Sequence, residues 1–178
     1  TFPLSSLRAT LKDGSEIALD AEEVVLAQRY PPFAWGPLRT WLLEHVGSVH
    51  APPLPDWDVA VAAGSMSSVD LALAAFVDRG DIVLVEEFSF TASIDALRGY
   101  GAELVPVAMD TSGLRPDALE AACQRLEAEG RLGRAKMLYM VPVGHNPTGT
   151  TLASERYRAI YELARRFGLL IVEDDAYF

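Results

Sequence analysis

The sequence predicts an α/β fold: a three-layer α/β/α domain on a mostly parallel sheet. Three observations predict it. Short apolar runs alternate with longer stretches of helical periodicity from about residue 59 onward. The runs are continuous rather than alternating in polarity, as in strands buried on both faces by helices. Polar, Gly- and Pro-bearing stretches follow several runs, where open α/β sheets place their ligand crevices.

Residues 1–37 read as irregular, with Tyr30-Pro31-Pro32-Phe33 and Gly36-Pro37 as loop signals. Leu38, Trp41, Leu42 and Val46 fall at helical spacing and predict a short amphipathic helix. Pro52, Pro53 and Pro55 mark a connector, dividing the chain into an N-terminal loop and helix region (1–50) and an α/β region (51–178). Strands are expected at Val59–Ala63, Ile82–Val85, Leu104–Val107, Met137–Val141 and Leu169–Val172. Helices are expected at Ser67–Val77, Ala92–Gly99, Pro116–Glu129 and Ser154–Phe167. Pro116 suits the first helical position, Gly168 the position just past a helix end, and Ser154 an N-cap.

Composition narrows the function classes. A chain of 178 residues with 50% hydrophobic and 22% charged residues is ordinary globular material. Its net charge of −10 argues against a nucleic-acid surface, which needs clustered Lys and Arg. Lys12 and Lys136 are the only lysines. Cys123 is the single cysteine, which leaves no intrachain disulfide and no Cys-based zinc site. No signal peptide or membrane span is evident, so a soluble, cytoplasmic protein is expected. The chain starts at Thr1 rather than Met, which reads as a fragment at both ends.

Four stretches carry chemistry. Gly64-Ser65-Met66-Ser67-Ser68 precedes a helix, where free amides and hydroxyls suit an anion; Ser65 or Ser67 capping the helix explains the same residues. Glu86-Glu87-Phe88-Ser89-Phe90 follows a strand, and its aromatics suit stacking on a flat ligand or core packing. His145-Asn146-Pro147-Thr148-Gly149 offers a carboxamide at a strand end, or simply a self-bonded turn. His145, with no other His near it, reads as a loop residue. Glu173-Asp174-Asp175-Ala176-Tyr177 ends the last strand; Asp174 and Tyr177 either approach one ligand or cap the next element. The acids alone do not make a metal site.

Together, from about Tyr30 to Phe178, these stretches resemble the large domain of fold-type-I pyridoxal-phosphate enzymes, specifically class I/II aminotransferases. Asn146-Pro147-Thr148-Gly149 followed by Asp174-Asp175-Ala176-Tyr177 is the specific part of the likeness. Residues 151–178 look most like the branch acting on 2-aminoadipate, kynurenine and aromatic amino acids. The resemblance implies a pyridoxal 5′-phosphate cofactor, amino-acid and 2-oxo-acid substrates, and a homodimer. It implies that Asp174 pairs with the pyridine nitrogen, that Tyr177 and Asn146 meet the ring's 3-oxygen, and that Asn146 also lies near the substrate carboxylate. Ser65 and Met66 match the phosphate turn, with Met66 contributing its backbone, and Phe90 matches the stacking aromatic. Tyr30 is compared with a tyrosine that reaches the neighbouring subunit's phosphate.

The chain departs from the family pattern in one large respect. The lysine that binds the cofactor as a Schiff base lies beyond the Asp/Tyr motif in the family, and neither Lys12 nor Lys136 matches it. The substrate-carboxylate arginine, the small domain and two sheet strands are likewise unmatched. The region 51–178 is then a partial cofactor-binding domain, and this chain alone is expected not to transaminate. Two alternatives share the scaffold: the effector-binding domain of a transcription regulator, and a pyridoxal-phosphate-dependent lyase or decarboxylase.

Overall fold

A computed structural model describes residues 3–29 and 36–178. Tyr30 lies outside the described residues. The chain forms two compact units, Thr1–Val61 and Ala62–Phe178.

The first unit holds more regular structure than its sequence leads one to expect. In place of an irregular segment, β1 (Leu7–Thr10) and β2 (Glu16–Leu19) form an antiparallel hairpin in register from Leu7↔Leu19 to Thr10↔Glu16. Asp13-Gly14 makes the turn: Gly14 takes φ +85°, and Asp13 Oδ1 accepts the Ser15 amide at 2.9 Å. Helix α1 (Ala21–Ala27) starts with a capping box, Asp20 accepting from the Glu22 and Glu23 amides while Glu23 accepts from the Asp20 amide. Each device satisfies orphan backbone donors locally, which explains why order appears without a large apolar run. The predicted amphipathic helix extends to α2 (Gly36–His50), yet it buries no side chain. Arg39 forms a bidentate pair with Asp58, both contacts at 2.7 Å.

The second unit is the expected α/β/α sandwich. Helix α3 (Ser65–Phe76) leads to β3 (Ile82–Glu86), α4 (Thr91–Gly99) and β4 (Glu103–Val107). A two-residue ladder, β5 (Met109–Asp110) with β6 (Gly113–Leu114), precedes α5 (Pro116–Ala128), a 3-10 turn (Leu132–Arg134) and β7 (Ala135–Met140). Helix α6 (Ser154–Phe167) and β8 (Leu170–Glu173) complete it. The sheet order is β4-β3-β7-β8, and every pairing in it is parallel.

Period-two alternation sorts the side chains between the two faces. Ile82, Leu84, Leu138 and Met140 pack with α5 and α6 through Leu119, Leu126, Ile160 and Phe167. Val83, Val85, Met137 and Tyr139 pack with α3 and α4 through Val69, Leu73 and Leu97. Burying each of these aliphatic side chains contributes roughly 1.5–3 kcal/mol.

Three expectations need correction. Val59–Ala63 is not a strand: it has the composition of one, but no described strand forms a ladder with it. Helix α3 begins at Ser65, with Gly64 (φ +94°) as its cap, so neither Ser65 nor Ser67 is the cap. Ser154 is likewise the first helical residue of α6, preceded by Ala153 as N-cap.

Pro116 and Gly168 do occupy their expected positions. Gly168 ends α6 in the left-handed region, φ 69°, where nothing crowds the place a Cβ would take. Gly168→Ala is therefore expected to cost about 1–2 kcal/mol through backbone conformation alone. Chemical denaturation of both proteins measures the difference, and an unchanged midpoint would contradict it.

Candidate functional site

The carboxyl edge of the parallel sheet collects the polar stretches. The strands β3, β7 and β8 run the same way, so residues 86–90, 141–149 and 173–177 emerge side by side. Asn146 Nδ2 donates to Tyr177 Oη at 3.2 Å, joining two motifs 31 residues apart. Gly144 permits that approach: at φ +54°, a Cβ there would lie 3.1 Å from Tyr177 Cβ. Tyr177 remains exposed, and Asn146 is half-buried.

Asp174 continues the line of β8, its amide donating to Met140 O at 2.9 Å. Its side chain is held from below: Tyr139 Oη lies 2.7 Å from Asp174 Oδ2 and 2.8 Å from Ser93 Oγ. Ser93 Oγ in turn lies 3.7 Å from Met66 Sδ in the first turn of α3. Sequence reading singled out Met66 and Asp174, and a buried chain of two hydroxyls that it missed now connects them. Burial pushes the Tyr139 phenol far above its ordinary range; the contact with Ser93 works the other way, and Asp174 adds to the rise.

At the start of α3 no side chain caps the helix. The Ser67 and Ser68 amides bond to Gly64 O, the Ser65 and Met66 amides have no intrahelical acceptor, and the helix dipole makes this end attractive to an anion. Ser65 is exposed and Met66 half-buried there. Phe90 immediately precedes α4 as its N-cap, half-buried, whereas Phe88 is exposed.

His145 is a loop residue as expected, in the segment after β7, and its side chain is buried with that of Glu86, each 1% exposed. Nε2 stands 3.0 Å from Glu86 Oε2 without making an aligned hydrogen bond. Glu86 Oε2 also accepts the Val141 amide at 2.8 Å, and Thr148 Oγ1 lies 2.9 Å from His145 Nδ1. Burial raises Glu86 to about 7, opposed by the Val141 amide, and burial lowers His145. Both directions favour the uncharged form of each group, and the pair packs beneath the loop carrying Asn146.

Lys136 lies near the amino end of β7, exposed, with Nζ donating to Gly133 O at 3.2 Å. At ~3.3 Å per residue it sits more than 10 Å along the strand from the edge where Asp174 and Asn146 gather. Cys123 is buried, and burial raises its thiol to about 11, so it is no nucleophile. Among the described residues no cluster of His, Cys, Asp and Glu has the makings of a metal site. Nor is any described helix long and apolar enough to cross a membrane.

Comparison with known proteins gives this geometry a family. Residues 6–178 match the family model for aminotransferase class I and II. The aminotransferase swnA of Metarhizium robertsii is 46% identical over 147 residues, which are 83% of this chain and 30% of that protein. The mitochondrial kynurenine/alpha-aminoadipate aminotransferase of Bos taurus is 33% identical over 190 residues, covering 100% of this chain and 45% of that protein. The chain thus spans less than half the length of these relatives. A kynurenine aminotransferase of Pyrococcus horikoshii, solved in complex with PMP and KYN as substrates and KYA as products, superposes with a TM-score of 0.78 at 28% identity. That match covers 84% of this chain and 37% of the solved one. The chain belongs to the class I and II aminotransferases.

Proposed function

We propose that the whole protein is a pyridoxal-phosphate-dependent aminotransferase. It moves an amino group between an amino acid (aromatic, kynurenine or 2-aminoadipate) and a 2-oxo acid. The observation that carries this reading is the gathering of Asn146, Tyr177 and Asp174 at one sheet edge, with Asn146 and Tyr177 in contact. The names of the relatives favour it over a regulator's effector domain or a lyase.

The donor set suits the cofactor. Its phosphate needs amides at a helix start, and α3 offers those of Ser65 and Met66 without a competing side-chain cap. Its pyridine nitrogen needs an anion; Tyr139 engages Oδ2 of Asp174, and Oδ1 remains for a second donor. Its 3-oxygen needs hydrogen bonds, which the Asn146 carboxamide and Tyr177 phenol would supply together. Phe90 would lie against the ring face.

When bound, pyridoxal phosphate supplies an electron sink for the substrate's α-carbon. Each residue then has a task of its own. Asp174 holds a proton at the pyridine nitrogen, since a neighbouring negative charge favours the protonated form. Asn146 reaches the substrate carboxylate as well as the ring oxygen, fixing the substrate's orientation. Tyr177 keeps its phenol against Asn146 and so orders that carboxamide. The same reading places the protein in the cytoplasm as a homodimer; its single, buried cysteine suits a reducing compartment.

The test uses the full-length protein. It is expected to retain a visible cofactor absorbance that changes on adding an aromatic amino acid, kynurenine or 2-aminoadipate, and to form glutamate from 2-oxoglutarate. A bound cofactor without amino-group transfer would favour the lyase. A protein that binds no cofactor would overturn the reading.

A further inference from the structure

We propose that Tyr139 and Ser93 are positioning residues for Asp174: a buried relay of hydroxyls that fixes one oxygen of its carboxylate and leaves the other for the cofactor's pyridine nitrogen. The inference rests on the functional reading above and adds two residues that lie in neither sequence motif.

The geometry follows from strand register. Tyr139 on β7 sits opposite Val172 on β8. Side chains alternate along a strand, so Asp174, two residues beyond Val172, shares the face on which Tyr139 packs against α3 and α4. A diagonal neighbour two residues along the adjacent strand is ~7–8 Å away, within reach of an aromatic side chain. The phenol spans that distance and meets Asp174 Oδ2 at 2.7 Å.

Proton counting sets the direction of the relay. Tyr139 is 1% exposed and Ser93 fully buried, so neither hydroxyl has water as its main partner. A carboxylate only accepts, so the single phenol proton goes to Asp174. The 2.8 Å contact between Tyr139 and Ser93 is then made by the serine proton. The relay runs Ser93 to Tyr139 to Asp174, each bond polarising the next toward the carboxylate. Tyr139 is correspondingly an orienting donor rather than a proton carrier, because burial holds its proton firmly. A phenylalanine would fill the same apolar pocket among Val69, Leu73 and Leu97, and would leave the carboxylate without its fixed donor.

The experiment compares full-length holoenzyme with its Tyr139→Phe and Ser93→Ala variants. Tyr139→Phe is expected to lower kcat by about 10–100-fold, the range for groups that orient a directly bound ligand, with KM for the amino acid little changed. The pH titration of the bound cofactor's absorbance is expected to shift, because the carboxylate facing the ring nitrogen has lost its fixed donor. Ser93→Ala, which keeps the bond from Tyr139 to Asp174, is expected to show the same changes at smaller size. It decides the matter if Tyr139→Phe does not fold. Unchanged kcat and titration in a folded variant would overturn the inference while leaving the cofactor assignment intact. If the wild type binds no cofactor, the functional reading fails by itself. The Tyr139 hydroxyl proton in NMR spectra of the cofactor-free protein then decides: a resolved, slowly exchanging signal supports the relay, and its absence overturns it.

Discussion

Asp174→Asn in the full-length protein is expected to lower kcat by about 10²–10³-fold while the cofactor still binds. Asparagine preserves the size of the side chain and an oxygen for Tyr139 to donate to; what it removes is the negative charge. Two unit charges about 4 Å apart interact by about 4 kcal/mol at an effective dielectric of 20, equivalent to roughly three orders of magnitude in rate. Part of that is recovered by the dipole of the new amide, and removing one aimed electrostatic partner typically costs 10²–10³-fold in kcat. Retention is expected because, in the proposed reading, the Ser65 and Met66 amides, Asn146 and Tyr177 would hold other parts of the cofactor. Steady-state kinetics and equilibrium dialysis separate the two effects. Turnover within a few-fold of wild type would remove Asp174 from its assigned role, and a parallel loss of cofactor would make it an anchor instead.

How much of this could be read in the sequence depended on whether the information was local. Four of the five expected strands are present within a residue or two, because a continuous apolar run records burial on both faces directly. Val59–Ala63 has the same composition and fails, since composition states what a segment tolerates and not which strand lies beside it. The hairpin and α1 in the first unit rest on local signals, Asp13-Gly14 and the Asp20/Glu23 box, rather than on apolar periodicity. In the site, Asn146, Asp174 and Tyr177 stood out because turn and strand-end chemistry is written into adjacent residues. Tyr139 falls inside an expected strand and Ser93 inside an expected helix, and nothing adjacent to either marks it as part of a site. Their partners lie 35 and 46 residues away, and only the parallel register brings them together. Glu86 and His145 were hidden for the same reason: Glu86 ends β3, His145 lies in the loop after β7, and the pairing of the two strands makes them neighbours.

Glu86→Gln is expected to remove a pH-dependent loss of stability on the order of 3 kcal/mol. Glu86 is buried, and desolvation raises its carboxyl from 4.5 to about 7, against the opposing pull of the Val141 amide. Below pH 4.5 both the folded and the unfolded protein hold the proton, and the group contributes no pH dependence. Between 4.5 and about 7 the unfolded chain releases it while the folded chain keeps it, so the folded state binds more protons and stability falls as pH rises. Above about 7 both are ionised and the loss is complete; a difference of about 2.5 pH units at 1.36 kcal/mol each sets the size. His145 works in the other direction and at lower pH: burial lowers its pKa from 6.5, so it costs stability only as pH falls below that value. The exposed carboxylates beside arginines, Asp58, Glu103 and Asp110, also favour higher pH, because their folded pKa values are depressed. The quantity to measure is therefore the difference between wild type and Glu86→Gln in denaturant titrations from pH 4.5 to 8. Glutamine keeps an acceptor for the Val141 amide, so any difference isolates the ionisation. The variant should gain on the wild type steadily up to about pH 7 and then run parallel to it. A flat difference would mean that the 3.0 Å approach of His145 offsets the desolvation and holds the buried pair as an ion pair.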